Sequence, residues 1–150
     1  MRARRQDAPG PEVEAAYGHC AAIVQRSGSS FAAAFWLFSR AERRAIQAVY
    51  AFCRLADDVA DDPAIRGDRG RLLERWTEEL ENAYRGKSTH PVGVALGDAV
   101  QRFALPEEHF RELLHGIEFD LRGAPIRTFE ELERSCYRVA STIRLLVVHL

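Results

Sequence analysis

Three aspartates near the middle of the chain form the pattern with the clearest chemical meaning. Asp57 and Asp61 are four residues apart and Asp58 and Asp61 three apart, so a helix places all three carboxylates on one side. Their mutual repulsion, roughly a few tenths of a kcal/mol per pair, opposes this grouping. A bound Mg²⁺ reverses the effect, because it takes oxygen ligands from carboxylates, water and phosphates. The spacing therefore predicts Asp57, Asp58 and Asp61 as ligands of a magnesium ion that also holds phosphate.

Two residues before the aspartates extend the same helix face. Arg54 stands one turn before Asp57, where its planar guanidinium can bind phosphate, and Tyr50 lies one turn further back. The alternative is a solvated acidic helix end that Pro63 stops, with Arg54 merely neutralising Asp57 or Asp58. The residues alone leave both interpretations open.

The elements that position these residues are predicted to be helices, because no stretch shows the sustained two-residue alternation of a half-buried strand. We expect helices at about 12–26, 31–38, 39 to the acidic run, 70–84, 92–103, 106–121 and from 128 onward. Capping boxes at Ser39 with Glu42 and at Thr128 with Glu131 open two of them. The pattern indicates an all-α fold.

Composition narrows the class of protein. The 150 residues are 47% hydrophobic and 29% charged, which fits one soluble globular unit. With 21 basic against 22 acidic side chains, a general nucleic-acid binder is not expected. No signal peptide or membrane-spanning run is visible, so we expect a cytoplasmic protein, with uneven apolar surfaces that are compatible with peripheral membrane contact.

Two further groups of residues receive structural interpretations. The chain has three cysteines, Cys20, Cys53 and Cys136. Because their number is odd and no two are close in sequence, we expect buried small residues rather than disulfides or zinc ligands. A solvated helix face is expected from Arg40, Arg43 and Arg44.

The last predicted helix shows no ending signal. It is still apolar at 145–148, and no glycine, proline or polar cap follows. A helix with apolar residues on several sides requires neighbours around it. We therefore expect the chain to be the front part of something larger, with a partner subunit or self-association covering this helix.

Three stretches, in order, resemble the squalene and phytoene synthases, which join two prenyl diphosphates head to head. The first is Gly-Ser-Ser-Phe at 28–31, the second is 50–62, similar to the family's first aspartate-rich motif, and the third is Cys-Tyr-Arg-Val-Ala-Ser at 136–141. The resemblance divides the chain into a tail with a first helix, 1–26, and the N-terminal part of a synthase-like domain, 27–150.

The resemblance implies an isoprenoid-synthase-like helical bundle with a central cavity. In it, Asp57 and Asp61 bind Mg²⁺ bridged to the substrate diphosphate, and Asp58 assists. Such a reaction starts when the metal-held diphosphate leaves, and the double bond of a second prenyl diphosphate attacks the resulting allylic cation. The substrate implied is farnesyl or geranylgeranyl diphosphate.

The resemblance also implies roles for the residues around the metal. Arg54 acts in catalysis beside the two aspartates and, with Tyr50, contacts the diphosphate. Ser30 and Phe31 border the substrate pocket.

The chain departs from the family pattern at several points. Ser135 stands where the family has tyrosine, and Arg144 stands where it has glycine. The family's second aspartate-rich motif should lie beyond Leu150, so we expect a truncated domain that does not turn over substrate alone. Two alternatives stay open. The first is a non-catalytic helical interaction module derived from the same fold. The second is a fragment of a head-to-tail prenyl diphosphate synthase, because residues 57–67 partly resemble the aspartate-rich motif of those enzymes.

Overall fold

The chain is helical in nearly all of the part that the structure describes. The computed structural model describes residues 8–28 and 31–122, together with Ser141, Arg144 and Val148. Six helices lie in the two long ranges: α1 (Pro11–Arg26), α2 (Phe31–Ala34), α3 (Arg40–Asp61), α4 (Arg69–Arg85), α5 (Pro91–Phe103) and α6 (Glu107–Arg122). These ranges contain no strand, and the predicted all-α class is confirmed.

Local signals determine several helix ends. The Ser39 hydroxyl accepts from the Glu42 N–H at 3.3 Å, and the Glu42 carboxylate accepts from the Ser39 N–H at 2.9 Å, so this predicted capping box is confirmed. Asp68 caps α4 by accepting from the Arg71 N–H at 3.2 Å. Gly86 ends α4 with a positive φ of 70°, a conformation that favours glycine.

The segment at 31–38 differs from the single helix that the sequence predicts. The α-helix stops at Ala34 and a tight 3-10 turn continues to residue 37. Arg43 stabilises this arrangement, because its guanidinium donates to the carbonyls of Phe35 and Phe38, each at 3.2 Å. The prediction that Arg43 belongs to a solvated face is therefore wrong.

A network of hydrogen bonds and ion pairs between polar side chains links α1, α3 and α5. The Arg44 guanidinium donates to both Glu14 carboxylate oxygens, at 3.0 and 2.6 Å, and lies 4.4 Å from the centre of the Tyr17 ring. The Tyr17 hydroxyl donates to Asp98 at 2.6 Å, and Arg102 donates to the same carboxylate oxygen at 2.7 Å. Arg44 is thus engaged between helices, which corrects the solvated-face prediction for this residue too.

The core forms around α3, which packs against α1, α4, α5 and α6. The Phe52 ring meets Trp76 and Phe110 edge to face, with ring centres 5.5 and 5.6 Å apart. This buried cluster fixes the middle of α3, and so it sets the position of the acidic end of the same helix.

Two glycines permit the close approach of α5 to α4. A methyl group at Gly97 would lie 2.8 Å from the Ala83 carbonyl oxygen, and one at Gly93 would overlap the side chains of Ser88 and Glu79. Glycine normally weakens a helix, yet here it removes the side chain that would separate the two helices.

Some predictions fall on residues that the structure does not describe. Cys20 and Cys53 are buried, as predicted, whereas Cys136 lies outside the described residues. The capping box at Thr128 and the helix that it opens also lie outside them. Of the helices in the described part, none combines the length and the apolar character that crossing a membrane requires.

Candidate functional site

The C-terminal end of α3 gathers the predicted carboxylates. Asp57, Asp58 and Asp61 occupy its last turns, each half-buried, and Asp62 is the C-cap residue. Carbonyl groups at a helix C-terminus carry partial negative charge, so the four carboxylates add to an already negative end. All three predicted ligands lie at one helix end, and both their convergence on one ion and their role as ligands stay predictions.

Asp58 forms an ion pair within the helix. Its carboxylate lies 3.2 Å from the Arg54 Nε, and the side chains are 29% and 46% exposed, respectively. Partial burial raises the pKa of Asp58, Arg54 acts to lower it, and Asp62 and Asp61 raise it further. Burial and the neighbouring carboxylates outweigh the arginine, so this aspartate holds its proton more readily than an ordinary one.

Tyr50 lies deeper than the charged residues. It is 6% exposed, and its ring meets Phe35 edge to face with centres 6.4 Å apart. Its hydroxyl donates to Ser27 at 3.1 Å, and the Ser27 hydroxyl in turn donates to the Val24 carbonyl at 2.7 Å. Tyr50 therefore ties the end of α1 to α3. Ser27 is a neighbour of the site that no motif indicated.

Arg69 is a second residue that the sequence did not single out. Its guanidinium donates to the carbonyls of Val59 at 2.7 Å, Ala60 at 3.0 Å, Asp62 at 2.9 Å and Ile65 at 3.3 Å. These carbonyls belong to the last turn of α3 and the loop after it. The first residue of α4 thus closes the end of the helix that carries the aspartates.

The predicted pocket residues before α3 are described only in part. Ser30 lies outside the described residues, and Phe31 begins α2, where its backbone alone is described. The described neighbour on that side is Phe35, which is 5% exposed and packs on Tyr50. The roles of Ser30 and Phe31 at the pocket stay predictions.

A groove of about 830 Å³ runs between α4 and α6. It begins at the loop before α4, and its walls carry both charged and apolar side chains, among them Arg69, Arg111, His115 and Leu114. None of the three aspartates predicted as ligands lines it. The groove and the acidic end of α3 are therefore separate places that adjoin at Arg69.

The donor chemistry of the acidic end fits magnesium in part. Within the described ranges, no three or more histidine, cysteine, aspartate or glutamate side chains are grouped so that they could hold a metal ion. Magnesium differs from metals held in closed protein cages, because one or two carboxylates commonly hold it while water and substrate phosphates complete its shell. Asp57 and Asp61 supply two such oxygen donors four residues apart on one helix.

Comparison with known sequences gives a consistent result. A family model described as squalene/phytoene synthase matches residues 24–150. The chain is 32% identical over 147 residues to chloroplastic phytoene synthase 1 of Zea mays, covering 98% of this chain and 36% of that protein. It is 35% identical over 138 residues to 15-cis-phytoene synthase of Synechocystis, covering 92% and 41%. The chain thus spans about two fifths of the length of these curated relatives.

Solved structures resemble the chain in fold as well. The crystal structure of a squalene synthase from Alicyclobacillus acidocaldarius superimposes with a TM-score of 0.77 at 28% identity, covering 94% of this chain and 53% of that one. A dehydrosqualene synthase solved in complex with ligand gives a TM-score of 0.72 at 28% identity, covering 91% and 47%.

Proposed function

Because the chain belongs to the squalene/phytoene synthase family, we propose that it carries the first aspartate-rich motif of an active site that condenses two prenyl diphosphates head to head. Its relatives by sequence are named phytoene synthases, and its relatives by structure are named squalene and dehydrosqualene synthases. The substrate class that we assign is a prenyl diphosphate such as farnesyl or geranylgeranyl diphosphate.

Asp57 and Asp61 are the residues that would hold Mg²⁺. Both stand in the last turns of α3, and their spacing lets their oxygens approach one ion. Asp58 is less suited to the task, because it is paired with Arg54 and its pKa is raised by burial. When bound, the metal supplies positive charge that stabilises a departing diphosphate.

Arg54 is the residue that would bind diphosphate oxygens directly. Its Nε lies 3.2 Å from Asp58, and the planar guanidinium carries two terminal nitrogens that are suited to donate to phosphate. Nearly half of this side chain is exposed, so it can reach a ligand without unfolding α3. Asp58 then orients Arg54 rather than binding the metal.

Tyr50 would border the pocket instead of reaching the metal. Its ring contacts Phe35, and its hydroxyl is bound to Ser27. Because Ser27 precedes Ser30 and Phe31 by a few residues, this hydrogen bond ties the start of that segment to α3. The apolar Phe35 and Tyr50 rings also help to exclude water, which an allylic cation requires.

The observation that carries the proposal is the concentration of carboxylates at the end of α3 in a chain that the family model matches. Four carboxylates lie between Asp57 and Asp62, where the helix dipole is negative, and Arg54 pairs with one of them. Carboxylates at these helical spacings repel one another. A bound magnesium diphosphate accounts for their grouping, and the family match places this segment in a chain of the right class.

Calorimetry with Mg²⁺ and a non-hydrolysable farnesyl diphosphate analogue tests the proposal. We expect wild type to bind the analogue only with the metal, and we expect the double variant Asp57→Asn/Asp61→Asn to lose binding, because it lacks both anionic oxygens. The matched control is Glu108→Gln/Glu112→Gln, which removes two exposed acids at the same spacing from α6 and should bind as wild type does.

Equal binding by wild type and the aspartate double variant would overturn this assignment and favour a non-catalytic helical module. The geranylgeranyl diphosphate analogue, measured in parallel, reports which prenyl length the chain prefers.

A further inference from the structure

Arg69 occupies an unusual position at the start of α4. It follows the capping residue Asp68, and its side chain turns back toward the preceding helix instead of following its own. Nη1 donates to the carbonyls of Val59 and Ala60, and Nη2 donates to those of Asp62 and Ile65. One half-buried side chain thus binds four backbone carbonyls between Val59 and Ile65, in the last turn of α3 and the loop that follows it.

The electrostatics of that turn explain why a cation belongs there. The last carbonyls of a helix lack partners within the helix and carry partial negative charge. At the end of α3 the carboxylates of Asp57, Asp58, Asp61 and Asp62 add to this charge. A guanidinium placed on the carbonyls offsets the dipole and the carboxylates together.

Arginine has the geometry that the contact requires. Its planar group offers donors on two terminal nitrogens in a fixed arrangement, whereas a lysine ammonium is a single point with three donors. The observed contacts use both terminal nitrogens, at 2.7 to 3.3 Å. Lysine at position 69 can therefore preserve part of the interaction but not all of it.

The contacts flank one aspartate directly. Ala60 and Asp62, the residues on either side of Asp61, both accept hydrogen bonds from Arg69 through their carbonyls. The backbone that carries Asp61 is therefore held on both sides. A shift of that backbone by even one ångström would change where its carboxylate points, and metal binding depends strongly on such placement.

We propose that Arg69 is a positioning residue for the diphosphate site, holding the end of α3 in the geometry that lets Asp57 and Asp61 bind one metal ion. The inference rests on the proposed function, because it assigns a supporting residue to the same site. Arg69 acts through the backbone of α3 and touches neither metal nor diphosphate.

The test measures metal binding to the folded 150-residue chain, using Mn²⁺ with inorganic pyrophosphate and electron paramagnetic resonance of the free ion. Arg69→Gln should weaken Mn²⁺ binding by about tenfold, in line with the strength of a partly buried cation at a helix C-terminus. Arg69→Lys should fall between this variant and wild type. The matched control Arg71→Gln removes an exposed arginine from the same turn of α4 and should bind as wild type does.

Hydrogen exchange provides the second readout. Amides in 60–66 should exchange faster in Arg69→Gln, while those of α1 and α5 keep their wild-type protection, which separates a local effect from general instability. Arg69→Lys keeps the comparison available if the glutamine variant does not fold.

The outcomes separate the two proposals. If wild type binds Mn²⁺ with pyrophosphate and Arg69→Gln binds equally well, the positioning role is wrong and the proposed function stands. If wild type and Asp57→Asn/Asp61→Asn bind alike, both proposals fall.

Discussion

The ion pair of Asp58 and Arg54 shows how neighbouring charges and burial together set the pKa of a carboxyl. The arginine lowers the pKa of the carboxyl, yet burial and two further aspartates raise it by more. Spacing alone made Asp58 equivalent to Asp57 as a ligand, because both lie within one turn of Asp61. The ion pair at 3.2 Å shows that Arg54 contacts Asp58, which spacing alone does not determine.

Replacing Arg54 with glutamine should raise the pKa of Asp58 further, because the opposing positive charge is removed. Carbon-13 NMR of the Asp58 carboxyl against pH measures this directly. An acid whose pKa is raised by folding adds stability below its unfolded pKa of about 3.9, and this stability is lost as pH rises through the folded pKa. The variant should therefore lose more stability than wild type between acid and neutral pH.

Arg66→Gln is the control for that measurement, since it removes an exposed arginine from the loop after α3. A pKa of Asp58 that stays constant or falls in Arg54→Gln would show that the ion pair does not govern this carboxyl.

At the scale of the elements, the helix ends were the most predictable features. The Ser39–Glu42 capping box and the glycine at the end of α4, Gly86, each depend on contacts within a few residues, so the sequence indicates both. The Tyr17–Asp98 hydrogen bond joins residues 81 positions apart, and no local pattern indicates it. Arg69 was missed for a related reason, because its acceptors are backbone carbonyls, which every residue has.

Gly97 and Gly18 test the packing of the helices. Gly97→Ala should lower the free energy of unfolding by about 1–3 kcal/mol, because its methyl group would lie 2.8 Å from the Ala83 carbonyl oxygen. Gly18→Ala in α1 meets nothing within 4 Å and should raise the same free energy by about 0.5–1 kcal/mol. Urea unfolding of both variants measures the difference.

A Gly97→Ala protein as stable as Gly18→Ala would mean that α5 can move away from α4 without loss. The close approach would then be no requirement of the fold.

At the scale of the whole molecule, the resemblance that three short stretches indicated is confirmed as membership of the family, and the all-α isoprenoid-synthase-like fold is confirmed by the solved structures. The motif at 50–62 contributed most, because it combines a helical face with a charge pattern that the local physics disfavours. The arrangement of α4 and α6 around a groove could not be predicted, since it depends on contacts between distant segments.

Two buried thiols report on the opening of the whole fold. Cys20 and Cys53 are fully buried, and burial raises the pKa of Cys20 to about 12 and that of Cys53 as well. Because the thiolate is the reactive form, both should react slowly with Ellman's reagent in folded Cys136→Ser protein and rapidly in denaturant. Rapid reaction of either thiol without denaturant would contradict the packed core around α3.

Arg69 contacts two parts of the molecule, since it lines the groove and also donates hydrogen bonds to the end of α3. Any anion in the groove that draws the guanidinium toward itself must loosen the hydrogen bonds to the Ala60 and Asp62 carbonyls. Thermodynamic linkage makes such an effect reciprocal, so a ligand that tightens the acidic turn would in the same measure disfavour that anion. The groove and the end of α3 thus share a single side chain.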